Sequence, residues 1–403
     1  MNQELKQERA AGSLTLFALL HGVNDQYTAF LAALMPLLLE RFGFGLAIAG
    51  LLAAVQSTAT SFAQPVFGWF LDKARRQPSI LMWPVITSTS LSLVGSVPSY
   101  RWIFPLLVAG GLSTAAFHPH ATSSVPSVAG GRAGLAMAVF VSAGTIGYAL
   151  GPVFVLWIVG TFGLGFTWLT ALPTLAVCLY MDKRGMGKPV VRTAPRASAG
   201  LRLNGRLGAL VALWLIVVLR STVGTAFMAF LGVHLREIGF PVMHMGVALM
   251  TFTATGAVGS MIGGHLADRR GGKTVILCGL LLIPPLFFWL LRANGAALWF
   301  LLAGAGFAIS SFNPVTVVMA QNLIPENRGT AAGLIMGLGW SVGGLLVGLV
   351  GSVAERAGLV PVLSSLLWLI VPALALALAL PGRIGAPDLA PARERATEAA
   401  GAD

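Results

Sequence analysis

Two ionisable residues lie deep inside apolar segments of this chain, where an isolated charge is costly. Asp25 lies about twelve residues, or about 18 Å, into the first apolar segment, and His21 lies one helical turn before it. Arg220 lies at the matching depth of a later segment. Ionisable groups near the middle of a bilayer are usually functional. We therefore expect Asp25 to exchange a proton, with Arg220 across a cavity; a static Asp25–Arg220 pair that joins two helices is the alternative.

Other polar residues are expected near the same cavity. His118 and His120 lie closer to the cytoplasmic end of their segment and point about 200° apart on a helix, so they are not expected to bind one metal ion. We predict no metal site and no cofactor. The candidate residues for substrate and proton are Asp25, Arg220, His21, Asn24, His118, His120 and Asn313.

These residues must be positioned by membrane-spanning helices. Of the 403 residues, 56% are hydrophobic and 10% are charged, whereas soluble chains are about a quarter charged. Apolar stretches of about twenty residues, the length that crosses a bilayer, recur from Leu14 to Leu380. The sequence predicts an all-α membrane protein with twelve spans, at 13–37, 46–70, 79–98, 102–125, 133–158, 164–181, 208–232, 243–266, 274–292, 297–323, 329–353 and 359–380.

The net charge of +12 follows the membrane topology and does not indicate nucleic-acid binding. With a cytoplasmic N-terminus, 20 of the 26 Lys and Arg residues lie in cytoplasmic segments, and five (Arg41, Arg101, Arg236, Arg292 and Arg356) lie on the opposite side. This asymmetry predicts a multi-pass protein of the bacterial inner membrane with both termini in the cytoplasm.

The two halves of the chain repeat at an offset of 196 residues, as Gly43-Phe44 with Gly239-Phe240 and Arg132 with Arg328 illustrate. We predict an N-terminal six-helix bundle (1–181), a cytoplasmic linker (182–207), a C-terminal six-helix bundle (208–382) and a disordered tail (383–403). Six spans per half make the repeats parallel, and transporters built this way bind substrate near the midplane between the halves. Spans 1, 4, 7 and 10 are expected to line that cavity.

Two loops, one per half, follow the pattern Gly-x-x-x-Asp-[Lys/Arg] with further basic residues behind. A carboxylate at a helix end can accept bonds from a neighbouring helix N-terminus and pair with Arg in one conformation only. Ordinary charged loops that only set topology are the alternative. The predicted gate residues are Gly68, Asp72, Lys73, Arg76, Gly264, Asp268, Arg269, Arg132 and Arg328.

Span 5 carries small residues at near-helical spacing, followed by a proline that bends the helix. The sequence predicts a packing groove there, although a close-packed helix without directional meaning is also consistent. The motif residues are Gly144, Gly147, Gly151 and Pro152.

The gate loops resemble the signature loop of the major facilitator superfamily, and Gly151-Pro152 resembles the motif of members that export by proton antiport. The first loop lacks the Gly expected after its basic pair, and Val153–Val155 replace the trailing glycines of the Gly-Pro motif. His21–Asp25, Ala116–His120, Gln64-Pro65 and Gly130–Ala136 resemble the fosmidomycin-resistance family. His120 stands where that family usually has a carboxylate, so proton coupling is not carried over to this position.

The resemblance implies a secondary transporter that exports a small polar or amphipathic solute or drug, coupled to protons, and works as a monomer in the lipid bilayer. Proton-coupled uptake of a small metabolite is the alternative in the same class. A membrane sensor or scaffold is the alternative in another class. No P-loop, zinc motif or nucleophile elbow occurs, so ATP-driven pumping and enzyme chemistry are not expected.

Overall fold

In the computed structural model the chain is all-α, and residues 3–74, 77–125, 133–186, 206–324 and 328–381 are described. The helices of the first six spans are Gln3–Asp25 and Phe30–Phe42 (span 1), Leu46–Ser61 and Gln64–Lys73 (span 2), Met82–Ser92 (span 3), Ile103–Ser124 (span 4), Ala133–Phe162 (span 5) and Ala171–Lys183 (span 6). Short 3-10 segments join or extend spans 1, 3, 4 and 6, at Gln26–Ala29, Leu93–Gly95, Tyr100–Trp102 and Leu164–Thr170.

The C-terminal half repeats this order with longer helices. They are Leu207–Glu237 (span 7), Val242–Arg270 (span 8), Gly272–Leu290 (span 9), Gly295–Ser310 and Asn313–Leu323 (span 10), Arg328–Ala332, Trp340–Leu345 and Val347–Ala357 (span 11), and Leu359–Leu366 and Ile370–Ala379 (span 12). A π-helical segment, Gly333–Gly339, interrupts span 11, and a 3-10 turn, Leu367–Leu369, interrupts span 12. Most of the predicted linker and all of the predicted tail lie outside the described residues.

Spans 2 and 5–12 yield nine helices, within the described part of the chain, that are long and apolar enough to cross a membrane. Span 3 is helical only over 82–95, which is shorter than the about twenty residues that a crossing needs. Spans 1 and 4 contain the polar residues around Asp25 and His118, which lower their mean hydropathy. The spans that depart most from a simple membrane helix are therefore concentrated in the N-terminal half.

The outer surface is apolar, as contact with lipid requires. Large hydrophobic side chains stand exposed around the bundle, with Phe300 at 79%, Met261 at 76% and Trp368 at 75% exposure. In water, apolar patches of this extent would drive association. A continuous core of buried side chains fills the interior and includes residues from both halves, such as Phe30 and Phe227.

The repeat is visible in the backbone as well as in the sequence. Gly43 and Gly239, 196 residues apart, both adopt positive φ (65° and 84°), which glycine adopts without steric cost. Glycines also set the two contacts between the halves. Span 2 packs on span 11 where Gly50 meets the backbone of Val347, and span 8 packs on span 5 where Gly246 lies against Pro152. Close backbone approach through small residues is how membrane helices pack tightly.

The halves are also joined by polar contacts at the end of the bundle remote from the chain termini, here called the distal end. Arg236 of span 7 donates to both carboxylate oxygens of Glu40 of span 1, at 2.6 and 3.3 Å. The Glu355 carboxylate of span 11 accepts from the backbone N–H of Ala47 at the start of span 2, at 2.6 Å. Each contact joins an N-terminal span to a C-terminal span, so the distal end is closed in this structure.

Candidate functional site

Asp25 lies at the last residue of the first helix of span 1, where the chain passes into a 3-10 turn. The Thr28 hydroxyl donates to the Asp25 carbonyl at 2.6 Å, and Gln56 of span 2 donates to the Thr28 carbonyl at 2.9 Å. These side chains bond to backbone carbonyls beside the change of helix type, as buried backbone groups require. The junction thus holds the carboxylate at a fixed place inside the bundle.

The Asp25 carboxylate contacts two histidines from different parts of the chain. Its Oδ2 lies 3.0 Å from His21 Nε2, one turn away on span 1, and 3.4 Å from His118 Nε2 on span 4. Its Oδ1 accepts a hydrogen bond of 3.0 Å from the Asn24 amide. The three ionisable side chains are 6% (His21), 16% (Asp25) and 27% (His118) exposed, so His118 is the member most open to the interior space. We call Asp25, His21 and His118 the Asp–His cluster.

The second ring nitrogen of each histidine fixes its tautomer. His21 Nδ1 lies 2.7 Å from the Phe140 carbonyl, and His118 Nδ1 lies 2.9 Å from the Thr114 carbonyl. A carbonyl only accepts, so both Nδ1 atoms carry a proton. In the neutral rings, Nε2 then presents a lone pair to the lone pairs of Asp25 Oδ2. One or two added protons turn this repulsion into attraction, which suits the cluster to proton exchange.

Span 5 positions His21 through the glycines that the sequence singles out. The His21 ring lies over Gly144, where a Cβ would overlap the imidazole, and it stacks on Phe140 with ring centroids 4.0 Å apart. One and two turns further along, Gly147 and Gly151 leave room for the backbone of span 1. The predicted packing groove is thus present in the structure, and span 1 lies in it.

The same three functional atoms would also suit a cation. His21, Asp25 and His118 each offer one ligand atom, and these atoms lie within 4.8 Å of one another. Two histidines and one carboxylate form a donor set that divalent transition metals accept. The sequence predicts no metal site, and the transport experiment below separates the two readings with a chelator.

His120 is not part of this cluster. It is buried, and the Trp83 indole N–H donates to its Nδ1 at 3.1 Å. His118 and His120 face different neighbours, as their predicted angular separation requires. Tyr27 likewise points away from the interior space, because its hydroxyl is bonded to Thr170 and Thr174 at 2.7 Å each.

Arg220 of span 7 is buried in the C-terminal half and lies apart from Asp25. Its Nη1 donates to the Ile309 carbonyl of span 10 at 3.1 Å, and its guanidinium lies 5.7 Å from the centre of the Phe312 ring. Among the described residues no carboxylate lies within the 4.0 Å of an ion pair with Arg220. The expected alternative, a static Asp25–Arg220 pair, does not occur in this structure.

Asn313 begins the second helix of span 10, next to Phe312. Pro314 follows it and has no N–H, so the Ser310 carbonyl lacks its usual helical donor. The Ser260 hydroxyl of span 8 donates to that carbonyl at 2.9 Å instead. This break in span 10 leaves the Asn313 side chain partly exposed inside the C-terminal half.

The predicted gate residues are only partly described. Gly68 lies opposite Pro119 and Gly264 opposite Pro314, with 3.7 and 3.9 Å left for a Cβ, so equivalent helix pairs approach at both loops. Lys73 lies 4.3 Å from the centre of the Trp69 ring, and Asp268 and Arg269 are exposed. Arg76 and Arg132 lie outside the described residues, and the side chains of Asp72 and Arg328 are not described. The gate function stays a prediction.

Sequence reasoning missed two features of the site region. The carbonyl partners of the histidine rings were invisible, because they depend on which backbone atoms face span 1. The Glu40–Arg236 pair left a signal, since these residues are related by the 196-residue repeat and carry opposite charge. A cavity of about 490 Å³ at the distal end lies beside that pair, and it is separate from the Asp–His cluster.

Comparisons with known proteins agree with this architecture. The family model of the Major Facilitator Superfamily matches residues 17–348 and 213–400. An uncharacterized MFS-type transporter, YfnC, of Bacillus subtilis (strain 168) is 30% identical over 88% of this chain and 90% of its own length. The fosmidomycin resistance protein of Escherichia coli (strain K12) is 25% identical over 88% of this chain and 89% of its own length.

Solved structures show the same fold at lower identity. A bacterial homolog of the human lysosomal transporter Spinster, in an inward-facing and occupied conformation, aligns with a TM-score of 0.73 at 15% identity, over 92% of this chain and 97% of that one. The nucleoside transporter NupG aligns with a TM-score of 0.69 at 16% identity, over 94% and 99%. The chain therefore belongs to the Major Facilitator Superfamily and has the fold of a multi-pass membrane transporter of small molecules.

Proposed function

We propose that this protein is a proton-coupled exporter of a small polar or amphipathic solute, acting as a monomer in the bacterial inner membrane with both termini in the cytoplasm. The Asp–His cluster carries the proposal. Asp25 is the sole carboxylate that the sequence places inside a span, and its two histidine partners hold Nδ1 protons on backbone carbonyls. Intramembrane Asp and His groups arranged this way serve as proton relays in transporters.

Coupling follows from where the cluster lies. His21 is wedged between Phe140 and Gly144 of span 5, so its contact with Asp25 moves with the N-terminal bundle as a unit. His118 comes from span 4 and makes the longer contact, 3.4 Å, with the greater exposure. A small shift of span 4 against span 1 breaks this contact and changes how well the cluster holds a proton. Proton binding and the conformation of the bundle are then linked, because each favours one state of the other.

Export is the direction favoured by similarity. One relative is named a fosmidomycin resistance protein, and resistance to a compound that acts inside the cell is achieved by removing it. Fosmidomycin is therefore the first probe. Closure of the distal end by the Glu40–Arg236 and Glu355–Ala47 contacts leaves the opposite end, proposed to be cytoplasmic, as the entry side for a solute to be exported.

The test is flux in reconstituted vesicles driven by an imposed proton gradient, with a metal chelator present. Parental protein is expected to move fosmidomycin against its gradient as protons run inward. Asp25→Asn removes the titratable group while keeping the shape, and it is expected to abolish gradient-driven flux while retaining solute binding. The matched control is Asp182→Asn, an exposed carboxylate at the end of span 6, which should leave flux unchanged.

Two outcomes would contradict the proposal. Normal flux with unchanged pH dependence in Asp25→Asn would make Asp25 a structural residue, and loss of parental flux on chelation would assign the cluster to a metal ion. Direction is read separately, from survival of an overexpressing strain on fosmidomycin and toxic metabolites. Unchanged sensitivity together with accumulation of a labelled nutrient would indicate uptake, and no flux of any solute would favour a sensor or scaffold.

A further inference from the structure

Arg220 is a buried cation without a charged partner. Its side chain belongs to a residue that is 6% exposed, and no acidic residue of the described chain lies within 4.0 Å of it. Its Nη1 is bonded to the Ile309 carbonyl, and its Nε is buried with no hydrogen-bond partner. Charged groups removed from water are almost always paired, because leaving one unpaired costs free energy. An unpaired guanidinium that persists in the interior therefore calls for a partner from outside the chain.

The unused part of the guanidinium has a defined shape. Nη1 is committed to Ile309, and the Phe312 ring lies 5.7 Å from the guanidinium carbon. The remaining edge carries the Nε and Nη2 protons, which are parallel and lie in one plane. Two parallel N–H donors match the two oxygens of a carboxylate, phosphonate or phosphate, and bind them in a bidentate manner.

A second unsatisfied polar group lies on the same break in span 10. Asn313 follows Phe312 directly, and its Oδ1 is buried without a hydrogen-bond partner. Ile309, Phe312 and Asn313 thus bring a carbonyl, an aromatic ring and an amide to the region of Arg220. This arrangement provides one fixed positive charge and neutral surroundings, which suits the acidic group of a small organic anion and opposes a cation.

We infer that the solute carried by this protein bears a carboxylate, phosphonate or phosphate group, which binds to the Nε–Nη2 edge of Arg220. The inference rests on the proposed transport function and names the chemical class of its substrate. Asp25 then carries the exchangeable charge in one half, and Arg220 holds the charge of the solute in the other half.

The experiment measures equilibrium binding to the purified full chain in detergent, with no proton gradient. The probes are phenylphosphonate, benzoate and benzamide, which share one ring and differ in charge, and the readout is the shift in unfolding temperature with probe concentration. The parental protein is expected to bind phenylphosphonate and benzoate and to bind benzamide at least about tenfold more weakly, since benzamide cannot pair with the cation. Arg220→Gln is expected to remove the preference for anions.

Two further variants separate recognition from folding. Arg220→Lys keeps the charge but loses the planar fork, so it should still prefer anions while binding them more weakly than the parental protein. Arg236→Gln removes an exposed arginine at the distal end and should bind all three probes as the parental protein does. If Arg220→Gln fails to fold, the comparison of Arg220→Lys with the parental protein decides the matter.

The inference is overturned if benzamide binds as well as benzoate, or if anion binding is unchanged in Arg220→Gln, or in Arg220→Lys where the former does not fold. Its failure is distinct from failure of the proposed function. A protein that exports a neutral solute on a proton gradient but shows no anion preference would remove the inference and leave the transport proposal intact. Anion binding through Arg220 without gradient-driven flux would give the reverse result.

Discussion

The two halves of the molecule place different chemistry on equivalent helices. At the 196-residue offset, His21, Asn24 and Asp25 of span 1 correspond to Val217, Arg220 and Ser221 of span 7. Between spans 4 and 10 the offset is 195, so Phe117-His118-Pro119 corresponds to Phe312-Asn313-Pro314. The N-terminal half therefore holds a carboxylate with two histidines, and the C-terminal half holds a single fixed cation.

One backbone carbonyl serves both arrangements. The Thr114 carbonyl of span 4 accepts from His118, and the equivalent Ile309 carbonyl of span 10 accepts from Arg220. Each carbonyl lies one turn before the proline of its span, in a stretch of helix that the proline disturbs. The duplicated backbone thus offers the same acceptor twice, and divergence of the side chains made one half titratable and left the other permanently charged.

The largest effect should come from making the two halves alike at this position. His118→Asn gives span 4 the Phe-Asn-Pro sequence of span 10 and removes the exposed member of the Asp–His cluster. We expect gradient-driven flux to fall by about 100-fold or more, the usual scale for loss of a proton-transfer group. The reciprocal change, Asn313→His, should leave the pH dependence of flux as it is. Equal losses in the two variants would show that the halves do not divide the chemistry in this way.

The next effect tests the seat of His21. Gly144→Ala places a methyl group where the imidazole lies, so the ring must leave its contacts with Phe140 and Asp25. Overpacking of this kind costs about 1–3 kcal/mol, and we expect flux to fall about tenfold with a lower unfolding temperature. Gly160→Ala is the matched control on the same helix, because nothing lies within 4 Å of its added Cβ. Identical behaviour of the two variants would mean that the His21 position is not tightly specified.

The fold could be predicted from the sequence because each span must satisfy a simple physical constraint. About twenty apolar residues, short loops and an asymmetric charge distribution determine twelve spans and their order. The breaks inside the spans were not predicted. The 3-10 turn after Asp25 and the π-helical segment at 333–339 depend on which side chains of neighbouring helices reach the freed carbonyls. A single sequence does not contain that information in local form.

The site was predictable to the level of residue type and depth. His21 and Asp25 are four residues apart on one helix, so their contact follows from helical geometry alone. His118 was separated from His120 in direction, but its contact with Asp25 needed the packing of span 4 on span 1. The absence of an Asp25–Arg220 pair among the described contacts also could not be read from the sequence, because matching depth says nothing about lateral distance.

A smaller effect is expected at the two gate loops, which the repeat places at equivalent positions. Asp72→Asn and Asp268→Asn should leave membrane insertion intact and slow transport several-fold, since each removes a charge-assisted contact that forms in one conformation only. Initial rates of flux in vesicles, corrected for the amount of inserted protein, give the measurement. Parental rates in both variants would reduce these loops to topology signals.

The smallest effect concerns the distal Glu40–Arg236 pair, the one place where repeat-related residues from the two halves touch each other. Both side chains are about half exposed, at 49% and 41%, so the pair is worth about 0.2–1 kcal/mol. Arg236→Gln or Glu40→Gln should therefore raise the population open at the distal end by at most about fivefold. The measurement is the rate at which an impermeant thiol reagent modifies Leu39→Cys, in a background where Cys178 and Cys278 are replaced by Ser.

The double variant Glu40→Arg with Arg236→Glu exchanges the repeat-related residues and keeps the opposite charges together. It should return the labelling rate close to the parental value, while each single charge reversal should raise it above the neutral variants. High salt should shrink these differences, because exposed charges are screened within about 10 Å at 0.1 M ionic strength. If the swapped pair labels as fast as the single reversals, the distal end is held closed by the packing of spans 2 and 11, where Gly50 meets Val347, and the ion pair contributes nothing measurable.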